Sequence, residues 1–300
     1  MLQLMFARNL QNHFPALEII GYNMPVWELS QVGAMRLPSF VPSLRQSDPD
    51  VQFIAGLYKR GLLHCAKIRR VPLDVSSLGP QSLHHDYFSR HSNTAYRPRE
   101  DEIIINVRGG EILSNVHEDY GPMPLHFYKR VLEESGLNAV FLGQIGSDYY
   151  SKLLIDNFPN AKFIASQGIL EDFTSLRLAK HLVISVSTFS WLAAWLSEAR
   201  SIHFPVYGMF NPAQRPDAWF LPSDRKEYKF YWMPIRKWCA TSDQIRDLTA
   251  PLEIREMNNE EFINLRNFRA GERRLSKEKS ERSLLVRAVA SLPLVRAINS

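Results

Sequence analysis

Cysteine is nearly absent, with Cys65 and Cys239 the only two in 300 residues. So wide a separation gives neither a disulfide framework nor a closely spaced pair of metal ligands, so a reducing compartment is expected, with both thiols buried and inert. Long apolar runs are missing as well. No segment approaches the ~18 uninterrupted apolar residues of a membrane span. The start MLQLMFARNLQNHF has neither a basic n-region nor a small-residue cleavage site, and a cytoplasmic location is the expectation. Several signatures are missing too: a P-loop, a Gly-x-Gly-x-x-Gly fingerprint, a Gly-x-Ser-x-Gly elbow and a His-Glu-x-x-His pair. Kinase, dehydrogenase, hydrolase and zinc-protease chemistry therefore lose their usual support.

What is present is a globular composition. Apolar residues make up 45% of the chain, enough for one large domain or two small ones. The net charge of +5 is unevenly placed, because Arg266 to Ser300 holds nine Lys/Arg against three Glu and everything before it is near neutral. A nucleic-acid partner needs a basic face on the folded part, and none is expected there. The basic, Leu/Val-rich tail suits a peripheral contact with an anionic membrane, with Pro293 limiting its helix. A disordered basic end, or a helix docking on a partner, is the alternative.

From about Arg99 the pattern alternates between periods of two and 3.6. DEIIINVRGG, NAVFLGQ, AKFIAS, LVISVS and SIHFPV read as strands, the last closing the series. Between them PLHFYKRVLEESGL, SDYYSKLLIDNFP, EDFTSLRLAKH and TFSWLAAWLSEAR read as helices, with Gly136 as a stop signal and Ser147 or Asp148 as a start. Such alternation predicts a parallel sheet covered by helices. The first hundred residues are less regular: a helix at MLQLMFARNLQNHF, a strand at ALEIIGY, and a strand or helix pair at VQFIAGLYKRGLLHC. The polar stretch SRHSNTAYRPRED reads as a linker, which puts domains at 1–98 and 99–231, with a helical segment and basic tail at 232–300.

Ligands of such sheets bind beyond the carboxyl ends of the strands, and two strand ends carry suggestive chemistry. In IIINVRGGEI, Arg108 is followed by Gly109 and Gly110 and then Glu111. Its guanidinium suits a bidentate grip on a phosphate, or else an ion pair with Glu111 or Glu118. In HLVISVSTFSWLAAWL, Ser187, Thr188, Phe189 and Ser190 stand where a strand gives way to a helix. Hydroxyls and free amides at a positive helix end make an anion site, and they also make an ordinary helix cap.

The order VRGGE and then, some eighty residues on, DFTSLRLAKHLVISVSTFSWLAAWL resembles the α-1,2-fucosyltransferase family and its α-1,6- and protein-O-fucosyltransferase relatives. The start MLQLMFARNLQ resembles that family's opening after its Gly-Asn, so the resemblance implies a first strand and glycine loop that this chain lacks. It also implies a GT-B architecture of two Rossmann-like parallel-sheet domains, the first incomplete, with the acceptor between them. The implied activity is inverting, metal-independent transfer of a sugar, L-fucose from GDP-fucose, to a glycan or lipid-linked polysaccharide acceptor, with no cofactor. Carried over by position, Arg108 falls on a phosphate-gripping arginine and Glu111 on the motif's acid. Ser187, Thr188, Phe189 and Ser190 fall on a phosphate- and base-contacting stretch, and Asp172 on an acid that accepts from guanine. Asn106 stands for the motif's histidine, Gly109 for its second arginine and Leu192 for its second tryptophan.

The catalytic base is expected in the loop GGEILSNVHEDYGP, with Glu111 and Glu118 favoured over Asp119, and His117 read as a surface or packing residue. Another donor sugar, or an inactive carbohydrate- or nucleotide-binding relative, is the alternative function. Three further signals carry bland readings. Asp48 to Asp50 form a turn. His84, His85, Asp86 and His91 fail to converge on a metal. Trp191 and Trp195 are core.

Overall fold

The structure, a computed structural model, describes residues 1–31, 41–44, 51–69, 71 and 73–290, but not the side chains of residues 259 and 268–279. The expected turn at Asp48–Asp50 and the helix-limiting Pro293 lie outside the described residues. Two compact units divide the chain: Met1–Phe88 with Ala218–Phe220 and Ile263–Ser300, and Ser89–Asp217 with Leu221–Phe262. The division falls before Pro98, because the expected linker is bonded into the second unit. Ser92 N donates to Thr174 Oγ1 at 3.0 Å, and Tyr96 OH to Glu102 at 2.6 Å.

In the first unit the opening helix Leu2–His13 buries Leu4, Met5, Phe6 and Leu10, and a second helix spans Val51–Lys59. Strand structure is sparse. ALEIIGY is extended only from Tyr22, and the described residues form three two-stranded ladders rather than a sheet. The helix Asn259–Val289 runs across the division, and its carboxyl end buries Leu284 and Ala288 while exposing Leu285, Val286 and Val289. No helix among the described residues is long and apolar enough to cross a membrane. His84 is a core residue whose Nε2 lies 2.7 Å from the Leu78 carbonyl.

The second unit is an α/β sheet. Its elements in chain order are β1 (Glu102–Val107), α1 (Leu125–Ser135), β2 (Asn138–Gly143), α2 (Tyr149–Asn157), β3 (Lys162–Ala165) and α3 (Ile169–Leu178). There follow β4 (His181–Val183), α4 (Thr188–Trp195), β5 (Ser201–Val206), β6 (Tyr228–Trp232), α5 (Ser242–Arg246) and β7 (Arg255–Glu256). Across the sheet the order is 3-2-1-4-5-6-7, parallel throughout except for the antiparallel edge strand β7. The first six follow the 3-2-1-4-5-6 order of doubly wound sheets, in which the strand order reverses beside β1.

Strand β1 is central because its sequence allows nothing else. Ile103, Ile104 and Ile105 are fully buried, as a β-branched run covered on both faces should be. Gly136 ends α1 in the left-handed region at φ 64°, and Asp148 caps α2 by accepting from Ser151 N at 2.9 Å. Trp191 and Trp195 are both buried, their rings stacked 5.6 Å apart.

Three expectations are corrected. β4 stops at Val183, because Ser185 and Ser187 turn the chain toward α4. SIHFPV is not the last strand, since β6 pairs alongside it and β7 beyond. The separate segment expected at 232–300 does not exist as a unit, because β7 belongs to the sheet.

Candidate functional site

The reversal point between β1 and β4 opens on a cavity of about 280 Å³, lined in part by Asn106, Arg108, Gln144, Asp172, Ser187 and Phe189. All come from the carboxyl ends of parallel strands or from the helix starts that follow them.

Arg108 leaves β1 with its side chain about a third exposed. Nη1 donates to Ser187 Oγ at 3.2 Å and Nη2 to Glu111 Oε1 at 2.5 Å, while the buried Nε has no partner among the described residues. Of the two sequence readings of Arg108, the ion pair with Glu111 is formed, and the same guanidinium also reaches the α4 terminus. Ser187 caps α4, its Oγ accepting from Phe189 N at 3.2 Å. With Arg108 on the same oxygen, the strand end and the helix end are tied by one hydroxyl. Thr188 is the first residue of α4, and first-turn amides have no partner within their helix. Phe189 packs against Phe173 with ring centroids 5.6 Å apart.

Ser190 is fully buried and turned back, its single O–H within reach of the Ser185 carbonyl at 3.1 Å and the Ser187 carbonyl at 3.2 Å, so it supports the turn and does not line the cavity. Asp172, in the first turn of α3, forms part of the wall. Its carboxylate accepts from Ser166 Oγ at 2.6 Å and Gln167 N at 3.2 Å, yet burial pushes its pKa above the ordinary value. Asn106 Oδ1 accepts from Ser185 Oγ at 2.6 Å, which fixes the start of the turn from below.

The loop acids separate. Glu111 stays beside Arg108, half exposed, whereas Glu118 pairs with Lys237 at 3.0 Å, and neither is among the lining residues. Asp119 is buried against Gln214 (2.8 Å) and Arg215 (3.0 Å), so it ties its loop to the one following β5. His117 is half exposed and edge-on to Tyr120. Neither cysteine is buried as expected: Cys65 is half-buried, and Cys239 is exposed, in the loop that leads into α5, with its amide bonded to Gln244.

Comparison with protein-family models, with curated proteins and with solved structures returns no match. The site is thus read from its own chemistry.

Sequence reasoning missed Gln144 and Ser166, which follow β2 and β3 at the same edge of the sheet. The signal that finds them is positional: in a parallel sheet ligands bind beyond the carboxyl ends of the strands, and both residues stand directly after one. One full cation, a capped helix end, a buried carboxylate and several neutral hydrogen-bonding groups make a site suited to an anionic, partly polar ligand.

Proposed function

We propose that this chain binds a nucleotide-sugar through a diphosphate held between Arg108 and the α4 terminus, and transfers the sugar to a glycan or lipid-linked glycan acceptor. GDP-fucose is the donor to try first, with inversion at the anomeric carbon and no metal requirement. The observation that carries this reading is Arg108, bonded to Ser187 across the reversal point of a doubly wound sheet.

Sugar transfer builds negative charge on the departing diphosphate. Arg108 and the amide-rich start of α4 are preorganised donors aimed at that charge, and preorganised electrostatics is usually the largest catalytic contribution. Glu111 holds the guanidinium in position from the other side. Glu111, half exposed beside Arg108, would serve as the base that takes the acceptor hydroxyl's proton, in preference to Glu118, which is paired with Lys237. Asp172 would accept from the N–H groups of a guanine. A different nucleotide-sugar is the second reading. It is favoured by Gly109, which leaves a single arginine at the grip, already shared with Glu111.

Thermal unfolding with GDP, UDP, CMP and their common sugars, run beside Arg108→Ala, tests the reading. A ligand at a hundred times its Kd stabilises by about 2.7 kcal/mol, a readily measured shift. Stabilisation by a nucleoside diphosphate that Arg108→Ala abolishes is the expected result. No shift with any nucleotide would sink it.

A further inference from the structure

The Gly109–Gly110 turn packs against Gln144, Gly109 on its backbone and Gly110 on its side chain. A Cβ on Gly109 would lie 2.9 Å from the Gln144 backbone oxygen, and one on Gly110, where φ is +61°, would lie 3.4 Å from Gln144 Nε2. In the space these glycines leave, the Gln144 carboxamide rests against the turn, its Oε1 accepting from Gly109 N at 3.0 Å. Only the oxygen end of a carboxamide can take that N–H, so the chemistry fixes which way the group faces. The Nε2 end then has two N–H bonds to offer, and no acceptor among the described residues takes either.

Positive charge here is scarce. Arg108 is the one cation among the described lining residues, it is engaged by Glu111, and Asp172 adds an acid to the wall. A diphosphate brings more negative charge than one shared guanidinium offsets, so the remaining oxygens need neutral donors.

We propose that Gln144 is an anion-binding residue, its Nε2 donating to a phosphoryl oxygen of the group that Arg108 holds. This rests on the nucleotide-sugar reading and deepens it by naming a second phosphate ligand, supplied by β2. The two side chains flank the cavity from adjacent strands, and the glycine turn between them keeps the carboxamide's donor end available.

Gln144→Glu is the informative variant, since it keeps the chain length and an oxygen for Gly109 while replacing the donor by a carboxylate. Calorimetric titration of GDP, pyrophosphate and guanosine into the native protein, Gln144→Glu and Arg108→Ala is read beside urea unfolding. The expected result is an unchanged unfolding midpoint, GDP and pyrophosphate at least 10-fold weaker, and guanosine unaffected. Part of the loss should return at pH 5, as the new carboxyl approaches its ordinary pKa of about 4.3. If Gln144→Glu binds GDP as the native protein does while Arg108→Ala does not, Gln144 is no ligand and the nucleotide reading stands. Equal loss for guanosine would make its role structural and overturn the proposal. If the native protein binds neither GDP nor pyrophosphate, both readings fall. Should Gln144→Glu not fold, Gln144→Leu with the same three ligands decides.

Discussion

One residue whose environment departs far from its ordinary chemistry lies away from the cavity. His203, in β5, is 2% exposed, with Nδ1 2.9 Å from Tyr231 OH, which in turn donates to Glu134 at 2.8 Å. Burial, aided by the charge of Lys229, lowers the imidazole pKa from 6.5 to about 4. A histidine depressed in the fold binds fewer protons there than in the unfolded chain. Its contribution is complete above pH 6.5 and is lost as the pH falls toward 4. Between pH 7 and pH 5 this one group removes about 2 kcal/mol of stability. Urea titrations at the two pH values should show that loss, and in His203→Gln it should be largely absent. An equal loss in the variant would assign the acid sensitivity elsewhere. Gln144 shows why single residues were the hardest part of the sequence to read. A glutamine after a strand belongs to no motif, and only the parallel neighbours and the glycine turn give it a role.

At the scale of elements, the serine cap joins stability to binding. Ser187→Ala removes the acceptor of both Phe189 N and Arg108 Nη1. Loss of a cap costs about 1 kcal/mol, and freeing the guanidinium adds a loss in nucleotide affinity. Chemical unfolding gives the first and titration the second; a change in stability alone would mean that Arg108 holds its ligand without help from the cap. Elements with strong periodicity were legible in advance. The isoleucine run of β1, the Gly136 stop and the Asp148 start are all signals carried by a few adjacent residues. Strand β6 was hidden because its aromatic sequence, Tyr228 to Trp232, is framed by proline and charged residues typical of loops. The ladders of the first unit are two or three residues long, shorter than the span over which alternation can be recognised.

For the whole molecule, charge is the property that separates its ends. Near-neutral residues 1–265 carry a tail of nine Lys/Arg and three Glu. Attraction of about 1 kcal/mol per basic residue near an anionic surface would suffice for reversible binding. Phosphatidylserine vesicles should retain the protein at low salt, phosphatidylcholine vesicles should not, and replacing the basic residues between Arg266 and Arg282 by Gln should release it. Retention by the neutralised variant would rule the tail out as the contact.

The pairing of β1 with β4 also dictates a history. Ile104 meets Leu182, a residue made long after it, so the two sides of the crevice come together only across that distance in sequence. On the ribosome, β1 to β3 can assemble first, but β1 keeps one open edge until β4 emerges. The binding crevice is therefore a late product of synthesis, and a chain stalled before residue 181 carries a sticky strand edge where its site should be.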